Sequence, residues 1–524
     1  MSPTKPSCLA GRRGHRPRRL TLALAGALAL LGAPAIAQQA PHDGLLEKLR
    51  DKGVLTQDEY EEIKREREAE QAQHEREQTR KEARKTASDA EEKQKAAAKD
   101  DGLRGVKIKV GGYIEAASIY RSRNETADVG SNYNTGIPVQ SNPNHEMSEF
   151  RESARQSRLT LLATGNPDDK TALAGYFETD FLGAGVTSNS VESNSYTPRL
   201  RQAYATYDRS DWGFEFLGGQ AWSLTTMNKL GINPRQENIP LTIDAQYTVG
   251  FNWTRNAQLR VVKSYDNGLT LGFSAESPQA IVIGTSPAGT VFNNPGGSLL
   301  NSTTTYSTDI APDLVLKAAL DPGWGHYELY GLMRFFRDRT SNENSTTTGG
   351  GIGASALLPI VHGKLDFQAS VLAGTGIGRY GSAQLPDVTF RPDGKLVTIP
   401  GVDALLGVVG HPNEKWDYYV YGGMERAGST AYAGTKFGYG DNPLVDTKDC
   451  FYGGIFANCS NATTANVWQA QLGAWWKFYQ GSYGYMELGA SYSYIRRTLF
   501  SGNAGSPSTD DNIVMTSFRY YPFQ

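Results

Sequence analysis

From about residue 106 to its end the chain alternates with period two, in segments of roughly ten residues, and few folds can use that pattern so many times. In Gly484–Ile495, Met486, Leu488, Ala490, Tyr492 and Tyr494 fall on one face, and Tyr485, Glu487, Gly489, Ser491 and Ser493 on the other. Val467–Phe478 sets Ala470, Leu472, Ala474, Trp476 and Phe478 against Gln469, Gln471, Gly473, Trp475 and Lys477. Trp416–Glu425 repeats the motif, with Tyr418, Val420, Gly422 and Met424 opposing Asp417, Tyr419, Tyr421 and Glu425. One apolar and one wet face suit either a soluble sandwich or a barrel whose outside meets lipid and whose inside meets water. The mean hydropathy of −0.47 does not separate them, because a polar lumen lowers the average. No long apolar run follows residue 37, which excludes a polytopic helical membrane protein.

Connection lengths favour the barrel. About sixteen strands can be placed, near 106–122, 154–165, 171–182, 198–207, 212–222, 257–265, 269–277, 311–320, 324–337, 350–358, 364–375, 402–410, 416–425, 467–479, 484–495 and 511–523. Short turns such as Asn166–Lys170, Asp208–Asp211 and Gln480–Tyr483 alternate with long polar loops such as Arg123–Ser153, Ser277–Ile310, Thr375–Gly401 and Arg426–Asn466. Short turns at one end and long loops at the other are the asymmetry of outer-membrane barrels, and Tyr and Trp near strand ends fit their aromatic girdles. The expected fold is therefore an all-β transmembrane barrel of about 16 antiparallel strands over residues 105–524. An even count puts both of its ends on the short-turn, periplasmic side.

The segments before the barrel have other tasks. Lys5, Arg12, Arg13, Arg16, Arg18 and Arg19 precede an apolar run, Leu20–Leu31, and the small-x-small site Ala35-Ile36-Ala37. That order marks residues 1–37 as a cleaved secretory signal peptide. Its removal leaves 47 of the 53 basic residues against 55 acids, a net charge of −8. With no basic stripe, no nucleic-acid partner is expected. Residues 38–104 carry one aromatic residue, Tyr60, and read as an α-helical stalk in the periplasm. Thr56 and Glu59 form a capping box, Leu55 and Tyr60 a hydrophobic staple, and Glu61–Arg65, Glu77–Lys81, Asp89–Lys93 and Glu91–Lys95 lie at i,i+4 spacing. Between Ile63 and Asp100 its apolar residues are all alanine, so any coiled coil is weak.

A search for chemistry finds no enzyme signature. The mature histidines, His42, His74, His145, His326, His362 and His411, are scattered without metal-ligand spacing, and no HExxH or GxSxG occurs. GIGRYG (Gly376–Gly381) satisfies GxGxxG but leads into a polar loop rather than a helix. Neither a metal nor a cofactor is expected. Cys450 and Cys459, the cysteines left after Cys8 departs with the signal, are expected to form a disulfide in an oxidising compartment.

The informative residues are the charges whose parity sets them between apolar neighbours. Arg158, Arg199, Arg201, Arg260, Lys317 and Arg334 alternate with Leu, Val, Ala, Met or Phe; Glu115, Glu178, Asp180, Glu215, Glu328 and Glu487 share their face. A charge facing lipid at the midplane costs about 2–4 kcal/mol, so these groups belong in the lumen. There they would either set ion preference as opposed rows or close on one another as salt bridges. The connection Ser223–Asn256, which follows Trp222, is unlike the other loops: it holds Met227, Arg235, Ile239-Pro240, Tyr247, Phe251, Trp253 and Arg255. So apolar a loop is expected to fold inward and narrow the pore; the competing reading is a latch onto a neighbouring protomer or surface.

These residues resemble a known family. RQSRLTL (Arg155–Leu161), GYFETDFLG (Gly175–Gly183), LRQAYATYD (Leu200–Asp208) and LGGQAWS (Leu217–Ser223) look like the DcaP-like dicarboxylate porins, and LLEKLRDKGVLTQDEYEEI (Leu45–Ile63) resembles the start of phosphate-selective porin O/P proteins. The resemblance implies a homotrimer of sixteen-stranded barrels among outer-membrane lipids of a Gram-negative bacterium, each a water-filled channel for passive diffusion of small, dicarboxylate-like anions. Alternatives are a phosphate, sugar or general diffusion pore, with Tyr485, Tyr419, Tyr421 and Trp475 available to stack sugar rings, or a tether whose stalk contacts the cell wall. Two departures stand out. FRYYPFQ (Phe518–Gln524) ends one residue past Phe523, which leaves the phase of the last strand open, and the barrel region carries 32 bases against 37 acids.

Overall fold

The computed structural model describes Lys52, Gly53, Thr56 and residues 105–183, 197–295, 305–451 and 463–523. The signal peptide and, apart from Lys52, Gly53 and Thr56, the helical stalk lie outside the described residues. Gly53 stands in a turn with φ of +70°. The chain divides into two units, Met1–Ala90 and Glu91–Gln524, and the barrel lies in the second.

Alternation of apolar and polar residues builds sixteen antiparallel staves. They are β1 (Lys107–Arg121), β2 (in two pieces, Glu149–Ser153 and Arg158–Asp168), β3 (Thr171–Gly183), β4 (Thr197–Arg209), β5 (Phe214–Trp222), β6 (Arg255–Ser264), β7 (Leu269–Glu276) and β8 (Asp313–Leu320). The second half comprises β9 (His326–Thr340), β10 (Glu343–Val361), β11 (Leu365–Thr375), β12 (Pro400–Asn413), β13 (Trp416–Ala427), β14 (Thr464–Gly481), β15 (Gly484–Leu499) and β16 (Ser508–Tyr521). Each pairs with its sequence neighbour, and β1 pairs with β16 from Ile114–Tyr520 to Arg121–Ile513, which closes the sheet and leaves no edge.

The outer face is apolar: Leu159, Phe177, Leu259, Phe273, Leu316, Ile352, Leu406, Val420 and Leu472 are all exposed. Trp212, Tyr265, Trp324 and Tyr483, also exposed, sit in or beside the short turns, where an aromatic girdle meets the membrane interface. The phase of β16 is now fixed, with Ile513, Met515 and Ser517 inward and Val514 and Phe518 outward.

Two local departures from the expected strands have physical causes. The expected loop between strands near 324–337 and 350–358 is a tight hairpin instead, because β9 and β10 continue to Thr340 and Glu343. Ser341 and Asn342 take φ of +51° and +68°, the left-handed pair that matches strand twist in a two-residue turn. The Ser/Thr/Gly run Ser345–Gly351 reads as loop by composition, yet it pairs with β9 throughout. In β4, Glu178 faces Gln202 while Thr179 faces Leu200, so Arg201 is an extra residue. Such a bulge re-aims side chains: Arg199 and Arg201 point inward before it, Gln202 and Tyr204 after it, and Leu200 points to the outer face.

Candidate functional site

The long connection between β5 and β6, residues 223–254, runs through the barrel interior, held by side chains from strands all round the wall. The Leu224 N–H donates to Glu276 at 3.0 Å, Asn228 N–H to Glu328 at 2.9 Å, Leu241 N–H to the Tyr421 hydroxyl at 3.1 Å and Val249 N–H to Gln469 at 2.8 Å. In return, Trp475 Nε1 donates to Leu241 O at 2.8 Å and Arg519 to Ile243 O at 2.6 Å. Glycine permits the closest approach. A Cβ on Gly423 would stand 1.7 Å from Val249 O, and Gly250, at φ of +82°, would place one 1.9 Å from Ala404 O. The two ends of the loop are clasped by Trp222 and Trp253, edge to face at 5.8 Å, with the Arg255 guanidinium 5.0 and 5.1 Å from their rings. Met227, on the same loop, is buried.

On one side of this loop a cavity of about 460 Å³ remains open, walled by β1–β5 and β13–β16. The bulge in β4 delivers its centre. Arg201 binds Glu178 and, at 2.9 Å, Asp180; Arg199 clamps Asp180 at 3.0 and 2.7 Å; Arg158 lies 3.5 Å from Glu178. Three cations therefore meet two carboxylates. Across the cavity Arg519 pairs with Glu115 at 3.0 Å and Lys477 with Asp417 at 2.7 Å. Tyr113, Tyr521 and Tyr485 form an aromatic row, with centroids 5.2 and 4.2 Å apart.

The loop itself contributes Arg235, Glu237 and Asp244 to the cavity wall. Arg235 holds φ of +66°, a costly conformation for a long side chain, and donates to the Tyr204 hydroxyl at 3.3 Å. Arg255 donates to Gln246 at 2.7 Å. Neither arginine makes an ion pair among the described residues. Burial pushes the Asp244 carboxyl up to about 6 and raises that of Glu237, so the loop's acids carry less than full charge.

The other sequence-nominated cations lie on the opposite wall and do not line this cavity. Lys317 meets Glu328 at 2.6 Å and Thr226 O at 2.8 Å, which pins the loop to β8 and β9. Arg334 binds Asp313 at 3.1 Å, Asp387 at 2.6 Å and Gly376 O at 2.6 Å, tying down the connection 376–399. Arg260 supports Trp222 O and Gln258 at the loop's root. Glu487 lines the open cavity, accepting from Tyr521 at 3.0 Å, whereas Glu215 faces a separate hollow at the short-turn end. Of the proposed sugar-stacking residues, Tyr485 and Trp475 reach the open cavity; Tyr419 and Tyr421 are buried behind the loop.

Several groups at the open cavity escape a sequence reading. Arg519 sits in the strand of open phase, Lys477 and Asp417 are marked by alternation only as members of a wet face, and Asp244 belongs to a loop without periodicity. Cys450 is disulfide-bonded; Cys459 lies outside the described residues. GIGRYG leaves β11 for a single 3-10 turn, Gly378–Tyr380, whose Tyr380 hydroxyl donates to Asp313 at 3.0 Å. Among the described residues no group of three or more His, Cys, Asp or Glu is arranged to hold a metal.

No protein-family model matches this chain, and no curated protein matches it. Solved structures do. The outer-membrane channel DcaP of Acinetobacter baumannii is similar with a TM-score of 0.57 and 17% identity, over 80% of this chain and 99% of that one. An anion-selective porin from Comamonas acidovorans (TM-score 0.42, 10% identity, 79% of this chain and 99% of that one) and Salmonella typhi OmpF in complex with daunomycin (TM-score 0.44, 10% identity, 79% and 98%) also match. The likeness to DcaP shows that the fold is that of an outer-membrane channel barrel. At 17% identity it extends to the fold alone.

Proposed function

We propose that this chain is an outer-membrane porin, a water-filled channel through which small hydrophilic solutes, preferentially dicarboxylate-like anions, diffuse passively. The observation that carries the reading is the inward loop with a cavity of about 460 Å³ beside it, bounded by Arg158 and Arg201 on the wall and Arg235 on the loop. A constriction walled on both sides by guanidinium groups suits a solute with two carboxylates. The balance of charge tilts the same way: Arg235, on the cavity wall, carries no salt-bridge partner among the described residues, while burial favours the neutral forms of Asp244 and Glu237. The fold of DcaP supports the outer-membrane location, and this reading includes export by cleavage after Ala37, a periplasmic helical stalk over 38–104 open to cell-wall contact, a barrel over 105–524, a Cys450–Cys459 disulfide and a homotrimer.

Single-channel recording in a planar bilayer tests it: stepwise, anion-biased conductance blocked by succinate, with block weakened in Arg201→Gln, is the expected result. A sugar channel is the second reading, favoured by the Tyr113–Tyr521–Tyr485 row. Block by oligosaccharides but not by succinate would select it.

A further inference from the structure

At the long-loop end lies a second cavity, of about 370 Å³, that shares no lining residue with the first. Its walls are largely apolar: Ile137 and Val139 from the connection 122–148, Ile281 and Ile283 from 277–312, and Tyr439 and Leu499. Set into them is the guanidinium of Arg497, from the end of β15. Arg497 is 8% exposed, its Nε donates to the Thr464 hydroxyl at 2.9 Å, and its Nη1 donates to Ile137 O at 3.0 Å. Its Nη2 makes no hydrogen bond, and the residue makes no ion pair, among the described residues. Arg121, Arg201 and Arg334, buried as deeply, each meet at least one carboxylate. Asp449 is the acid on this wall, and it does not pair with Arg497.

Glu125 acts on Arg497 only from beyond ion-pair distance. A guanidinium withdrawn from water with no carboxylate in contact is costly, and an anion that supplies one binds it with charge-assisted hydrogen bonds. The remaining walls reward an apolar body, and the volume falls within the range of about 300–1,000 Å³ usual for small-molecule sites. We propose that this cavity is an outer binding site for small monocarboxylates with an apolar body, such as aromatic or branched-chain acids. The carboxylate rests on Arg497 and the body against Ile137, Val139 and Ile283. The site stands before the constriction and selects by a different chemistry, one charge and an apolar flank rather than two charges.

Fluorine NMR titration of 4-fluorobenzoate against the full chain in detergent micelles tests this, with excess succinate present and empty micelles as reference. Saturable binding is expected, weakened at least tenfold in Arg497→Gln, partly restored in Arg497→Lys, and absent for 4-fluorobenzamide. Ile283→Trp, on a connecting loop at the exposed mouth rather than on a barrel strand, fills the cavity and also abolishes binding; it decides the matter alone if the Arg497 variants fail to fold by heat-modifiable gel mobility. Wild-type affinity in both Arg497→Gln and Ile283→Trp, no saturable binding at all, or 4-fluorobenzylammonium binding as tightly as the benzoate overturns the proposal. None of these outcomes depends on conductance, so they are separate from the test of the channel itself.

Discussion

The lumen has two walls built from the same residue types and put to different uses. On β2–β4, Arg158, Arg199 and Arg201 surround Glu178 and Asp180, and Arg158 and Arg201 line the open cavity. On β8 and β9, Lys317 and Arg334 are buried as deeply as Arg201 but do not line that cavity, and every strong partner they have either belongs to a loop or stands beside one. The first wall leaves a surplus of positive charge next to water. The second converts its charge into attachment for the inward loops, so it decides where the passage cannot run. Inward-facing charge is thus not the same thing as pore-lining charge, and what separates them is where the loops settle.

That contrast breaks first on the closed side. Arg334→Met strands the buried carboxylates of Asp313 and Asp387, and losing one partner of a buried pair costs about 3–5 kcal/mol. The expected result is a large fall in the urea midpoint of the folded barrel, followed by band-shift electrophoresis. Gly423→Ala comes next. It forces the backbone at Val249 off the wall, an overpacking penalty of about 1–3 kcal/mol. Noisier single-channel current from a loosened loop should accompany it.

Arg201→Gln has the opposite profile. Arg158 and Arg199 still neutralise Glu178 and Asp180, so the barrel stays close to wild-type stability. Succinate block is expected to weaken about tenfold, equivalent to ~1.4 kcal/mol. The smallest effect belongs to Asp244→Asn. With its carboxyl pushed up to about 6, Asp244 gains its negative charge as pH rises from 5 to 8. Anion preference in wild type should therefore fall over that range, measured as reversal potential, and the asparagine variant should lose most of the dependence. The sign for stability is the same: an acid whose folded value is raised stabilises the fold at low pH and loses that contribution as pH passes 6.

Much of this was legible beforehand. Period-two alternation located all sixteen staves, because lipid outside and water inside punish a slipped register at every second residue. The parity of Arg158, Arg201 and Arg334 among apolar neighbours put them inside, and the apolar residues of 223–254 pointed that loop inward. Composition failed at Ser345–Gly351, where pairing to β9 overrides the loop-like Thr and Gly content. It also could not separate Arg201 from Arg334. Their local sequence patterns are alike, and the difference arises from Asp387 and Gly376, which reach Arg334 from a loop about 40–50 residues away in sequence.

The most direct test is the reversal potential of single channels across a tenfold salt gradient, wild type against Arg201→Gln. A passage on the Arg158–Arg201 side predicts an anion-biased potential that moves toward zero in the variant while the folded barrel persists. A potential unchanged by the substitution would place the passage elsewhere, and folded barrels without conductance would contradict the channel itself.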